Sequence, residues 1–139
     1  LFRSMNNAYS AYKKQSITTM TPMEIVVKLY SETERQLNRA IYFIDQKNYE
    51  DANKSLTKAQ DIVNALRSVL DLDIPISKNL DSLYEYFGRE IIHANVKKDK
   101  TIIETILPMI GELRDAFTQI STMPKAEMMA KSQQNAQVG

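Results

Sequence analysis

Between Asn79 and Asp99, in NLDSLYEYFGREIIHANVKKD, the apolar residues Leu80, Leu83, Tyr84, Phe87, Ile91 and Ala94 return at steps of three and four. Only an α-helix turns that spacing into one continuous face. Tyr86, Ile92 and Val96 stand off this face, on flanks where a helix with a single buried contact should be polar. The surplus apolar surface requires a partner.

The rest of the chain supplies more of the same element. Three glycines and four prolines in 139 residues leave little room for hairpins, and the wealth of Leu, Ile, Ala, Lys, Glu and Gln favours helix throughout. Thr21-Pro22-Met23-Glu24 is a capping box with proline in the first turn, and predicts a helix from there to about Gln46. Its apolar face is Ile25, Val26, Leu29, Tyr30, Thr33, Leu37, Ala40, Ile41 and Ile44, with Lys28, Glu32, Arg35 and Gln36 opposite and Phe43 at the edge, towards a neighbouring groove. Asn48 caps a second helix with the seam Tyr49, Ala52, Leu56, Ala59, Val63, Leu66 and Leu70. A smaller strip of Ile62, Ala65 and Val69 either meets a second neighbour inside a bundle or forms a partner-binding face.

Pro75 interrupts the pattern, so Asp71 to Ser77 is the long connection and the third helix starts at Ser77 or Asn79. It ends near Lys97 and Lys98, with Gly88 a weak spot open to a close helix contact. Asp99 or Lys100 begins a fourth helix with the buried face Ile102, Ile106, Ile110, Leu113, Phe117 and Ile120, bent at Pro108. Four amphipathic helices joined this way predict an all-α, antiparallel four-helix bundle.

The bundle is expected over residues 21–123. Ahead of it, residues 5–20 form an N-terminal capping segment, whose Tyr9, Tyr12 and Ile17 need a groove to sit in and make a cap that can detach. Residues 1–4 precede Met5 and are set aside as an addition before the natural start; residues 124–139, polar apart from Met128 and Met129, read as a flexible tail.

Composition narrows the function. With 18 basic against 17 acidic residues the net charge is +1, which does not suit a binder of nucleic acid held by phosphate neutralisation. The longest apolar runs, such as Ala40 to Ile44, fall far short of the roughly 20 residues that cross a bilayer, and no secretory leader opens the sequence. Cysteine is absent, which removes disulfides and thiolate chemistry and fits a reducing compartment. The expectation is a soluble cytoplasmic protein with no membrane insertion.

Glu90 and His93 have the E-x-x-H spacing of carboxylate-bridged di-metal bundles, but that chemistry needs a second such pair and the chain holds one histidine. No cofactor or metal is therefore expected. A lone base without cysteine or a glycine-flanked serine gives no nucleophilic triad either, and Lys97, Lys98 and Lys100 read as a solvated helix end. The chain is expected not to be an enzyme.

Taken in order, Asn7-Ala8-Tyr9 and Ala11-Tyr12, Thr21-Pro22-Met23-Glu24 leading to Leu29-Tyr30, Lys58-Ala59-Gln60-Asp61-Ile62, Leu83-Tyr84-Glu85-Tyr86, Ala94-Asn95 with Lys98-Asp99, and Leu113-Arg114-Asp115-Ala116-Phe117 resemble the FliS family of cytoplasmic flagellin export chaperones. Glu32, Gly88, Glu90, Pro108 and Phe117 depart from that family's usual pattern. The resemblance implies a bundle that wraps the disordered C-terminal segment of flagellin and prevents premature polymerisation before secretion. It also implies an N-terminal segment that covers part of the groove and shifts when flagellin or the flagellar export gate binds. By that match the contact residues are Ile62, Ala65, Val69, Tyr86 and Asn95, with Asn95 bonding extended backbone, beside the cap residues Tyr9, Tyr12 and Ile17. The competing expectations are a helical adaptor that forms a weak homodimer through the same strips, and a di-metal bundle enzyme.

Overall fold

In a computed structural model of the chain, which describes residues 1–2 and 20–123, Thr21 opens the first helix as a capping box. Its hydroxyl accepts from the Glu24 amide at 3.2 Å, and the Glu24 carboxylate accepts from the Thr21 amide at 3.4 Å. Helix α1 then runs over Pro22–Asp45. Asn48 accepts from the Asp51 amide at 3.2 Å and starts α2, Tyr49–Ser68. Helix α3 spans Pro75–Lys97, and α4, capped by Asp99, spans Lys100–Ser121.

The two tight turns carry left-handed residues, Lys47 between α1 and α2 and Lys98 between α3 and α4. Links this short force neighbouring helices to run antiparallel. Ion pairs fix the closing contact: Lys100 reaches Asp45 at 2.8 Å and Arg114 reaches Glu34 at 3.0 Å, so α4 returns along α1. Each helix packs on two neighbours, α1 on α2 and α4, α3 on α2 and α4. The result is the antiparallel four-helix bundle.

Its core is built from the expected stripes: Val26, Leu29, Tyr30, Leu37 and Ala40 of α1, Ala52, Leu56, Ala59, Val63 and Leu66 of α2, and Leu80, Tyr84, Phe87, Ile91 and Ala94 of α3 are buried. Large side chains buried in this way stabilise by about 1.5–3 kcal/mol each.

The structure corrects the sequence reading at four places. Glu32 and Gln36 are buried rather than facing solvent, and the Glu32 carboxylate accepts from Arg35 Nε at 2.9 Å, Arg35 Nη2 at 2.7 Å and Gln36 Nε2 at 2.9 Å. These bonds are what makes a buried carboxylate tolerable. On α4 it is Ile103, not Ile102, that joins Ile106, Ile110 and Phe117 in the core; Ile102, Leu113 and Ile120 are half-buried. Tyr49 is exposed at the start of α2. Helix α3 starts earlier than expected, because Pro75 occupies its first turn and only Ile74 before it is held extended. Leu1 and Phe2 pack on the bundle: the Leu1 carbonyl accepts from the Asp71 amide at 2.8 Å and the Ser77 hydroxyl at 3.1 Å, and the Phe2 ring lies 6.0 Å from that of Phe117. Helix α4 continues through Pro108, which is exposed.

Candidate partner-binding face

A helix with one buried stripe has two flanks, and on α2 and α3 these differ in chemistry. Asn53, Gln60, Asn64 and Arg67 recur at helical spacing on the flank of α2 that faces α3. Asp81, Glu85, Gly88, Ile92 and Asn95 form the answering flank of α3. The seam is tied at both ends, by Arg67 Nε to Asp81 at 2.6 Å and by Asn95 Nδ2 to Asn53 Oδ1 at 2.9 Å. Between the ties lies a groove of about 260 Å³ with Tyr84 and Gly88 among its lining residues, alongside Ile92, Arg89 and Glu85.

Apolar side chains that a single bundle does not consume cluster at one end of this groove. Ile92 is 46 % exposed and Val96, one turn further on, is 80 % exposed. Between them in sequence, Asn95 holds its side-chain carbonyl oxygen buried with no hydrogen-bond partner. A buried acceptor left unpaired costs about 1–3 kcal/mol, so a donor brought by a bound chain would be rewarded there.

The contact residues named from sequence are placed on three surfaces. Asn95 is in the α2–α3 seam. Tyr86 is half-buried on the opposite flank of α3, its ring 5.9 Å from that of Phe87 and covered by the Arg89 guanidinium at 5.8 Å. Ala65 is half-buried on the flank of α2 away from the seam, while Ile62 and Val69 beside it are only 8 % and 3 % exposed. That strip is therefore largely spent on packing, and Ile62 joins the main core. Tyr9, Tyr12 and Ile17 lie outside the described residues, as does the segment holding Met128 and Met129. Sequence reasoning gave no contact role to Gln60, Asn64 and Arg67 and marked Gly88 only as a weak spot open to a close helix contact; the matching three-and-four spacing of polar residues on two consecutive helices was the available signal.

A second groove of about 400 Å³ runs between α1 and α2, where Phe43 is half-buried under Arg39, 5.6 Å from the guanidinium to the ring centre. Of the three lysines at the α3–α4 turn, Lys98 donates to the main-chain carbonyl of Asn95 at 2.7 Å, leaving the side-chain oxygen untouched, and Lys100 pairs with Asp45. Glu90 and His93 stand 3.5 Å apart, and among the described residues no group of three or more metal-ligating side chains includes them. No helix among the described residues is long and apolar enough to cross a membrane.

Known proteins resemble this chain over most of its length. A family model described as flagellar protein FliS matches residues 5–124. The flagellar secretion chaperone FliS of Bacillus subtilis is 30% identical over 116 residues, covering 84% of this chain and 87% of that one. Its counterpart in Vibrio cholerae is 32% identical over 122 residues, covering 84% and 90% respectively. A solved structure of a bacterial flagellar chaperone superposes with a TM-score of 0.68 at 20% identity, covering 81% of this chain and 94% of the other, and so shares the fold.

Proposed function

This chain belongs to the FliS family of flagellar proteins and is a flagellar secretion chaperone, and we propose that its cargo is the C-terminal segment of flagellin, held apart from other flagellin molecules in the cytoplasm until export. The observation that carries this reading is the orphaned Asn95 carbonyl oxygen beside the exposed Ile92 and Val96. An unfolded segment brings backbone N–H donors and apolar side chains together, which is what this surface lacks.

The placement of the remaining contact residues fits a segment that wraps rather than one that plugs a pocket. Ala65 on the outer flank of α2, the seam with Asn95, and Tyr86 on the outer flank of α3 succeed one another around the bundle. A chain lying across these helices meets all three, whereas Ile62 and Val69 become available only if what covers them moves. Tyr9, Tyr12 and Ile17 supply a cap that competes with cargo for the apolar flanks, and its release exposes it to the export gate. Ordering a long segment against such a surface offsets much of the contact energy, which suits a cargo that must be handed on. The protein works by binding and does not catalyse a reaction.

Fluorescence anisotropy with a labelled synthetic peptide of the flagellin C-terminal segment tests this. The wild-type chain should bind saturably, and Asn95→Ala should bind roughly tenfold more weakly through loss of one buried hydrogen bond. A peptide that does not bind the wild-type chain overturns the reading; equal binding by Asn95→Ala removes the seam from it.

A further inference from the structure

Gly88 lies in mid-helix on α3, buried, with no positive φ. Glycine weakens a helix interior relative to alanine, so its presence needs a reason. The usual ones are absent. The residue ends no helix and makes no turn, and no neighbour crowds it: a Cβ built there would meet Asn64 Oδ1 only at 4.0 Å. What the missing side chain does is deepen the α2–α3 groove beside Tyr84 and Ile92.

The rim says what would fit. Arg67 and Arg89 are already paired with Asp81 and Glu85, at 2.6 and 2.7 Å, so the rim charges are balanced and a charged visitor meets no unmatched counter-charge to offset its desolvation. The side-chain amides of Gln60 and Asn64 make no hydrogen bond among the described residues and are open to neutral donors and acceptors. We propose that the Gly88 notch is a socket for one uncharged aliphatic side chain of the bound segment, whose adjoining backbone bonds to Gln60 and Asn64. The socket rests on the reading of this groove as the cargo face, and it sets the register in which the cargo lies: a charged side chain arriving at Gly88 is refused, an aliphatic one is held.

Two substitutions separate this role from a structural one. Gly88→Leu fills the notch from within and should bind the flagellin C-terminal peptide roughly tenfold more weakly by calorimetric titration, with a melting temperature no lower than wild type. Gly88→Ala should melt about 4 °C higher, because the helix gains, yet bind about fourfold more weakly, because one methyl takes part of the socket. Wild-type binding accompanied by unchanged binding in Gly88→Leu overturns the socket alone. Absence of binding in all three proteins overturns both the socket and the cargo assignment.

Discussion

Tyr30 of α1 and Tyr84 of α3 are hydrogen-bonded hydroxyl to hydroxyl in the centre of the bundle, joining the two helices that face each other across its diagonal. Both rings are buried, with centroids 6.2 Å apart, and the Phe117 ring closes on Tyr30 at 5.5 Å. Each hydroxyl is the other's partner, between rings packed among apolar side chains. Tyr30→Phe should therefore cost about 1–3 kcal/mol, since it strands the Tyr84 hydroxyl. Replacing both tyrosines by phenylalanine should cost less than the sum of the single changes, because the stranded group is then gone. Denaturant unfolding of the two single variants and the double variant checks this.

The same pair predicts an alkaline limit to stability. Burial raises Tyr84 from the ordinary phenol value of 10.0 to about 12, and burial, reinforced by Tyr84, raises Tyr30 further. A group whose folded-state pKa is raised holds its proton more tightly when folded, so its contribution is complete below pH 10 and lost as pH rises through the folded value. Melting temperature should fall between about pH 10 and 12, more steeply in wild type than in the variant lacking both hydroxyls.

Phe2 packs on Phe117, and the Leu1 carbonyl ties Asp71 and Ser77, so the first two residues brace the α2–α3 link. Phe2→Ala should lower stability by about 1–2 kcal/mol, given partial burial of the ring. Thermal melting is sufficient to read it.

Val69 and Val96 should respond to the same substitution in opposite ways. Val69 is buried, so Val69→Asp places an unpaired charge in the interior and should destabilise by roughly 2–4 kcal/mol whatever it does to binding. Val96 is exposed near the C-terminal end of α3, where an added carboxylate should cost only about 0.5 kcal/mol against the helix dipole. Paired melting curves of the two variants decide whether these sites are structural or free.

Much of this was legible in advance because helix ends are written locally. Thr21 with Glu24, Asn48 with Asp51, and Asp99 with Thr101 cap their helices through bonds between residues two or three apart. The errors arose where a local pattern admits two answers. Ile102 and Ile103 both continue an apolar face, and only the position of the neighbouring helices selects Ile103. Glu32 reads as a surface carboxylate until its bonds to Arg35 and Gln36 are seen. The candidate site was less legible, since Asn95 meets Asn53 across 42 positions of chain and the Gly88 notch exists only once α2 lies beside α3. Ile92 and Val96 were found as surplus apolar surface, while Ile62 and Val69, which carried the same signal, are buried.

The central claim is that the exposed end of the α2–α3 seam receives an unfolded cargo, and isothermal titration of the flagellin C-terminal peptide into wild type and into an Ile92→Asp, Val96→Asp double variant tests it most directly. The account predicts saturation at one peptide per wild-type chain and a loss of affinity of about a hundredfold in the variant, from two apolar contacts replaced by desolvated charges. Equal affinity in the two proteins would contradict it.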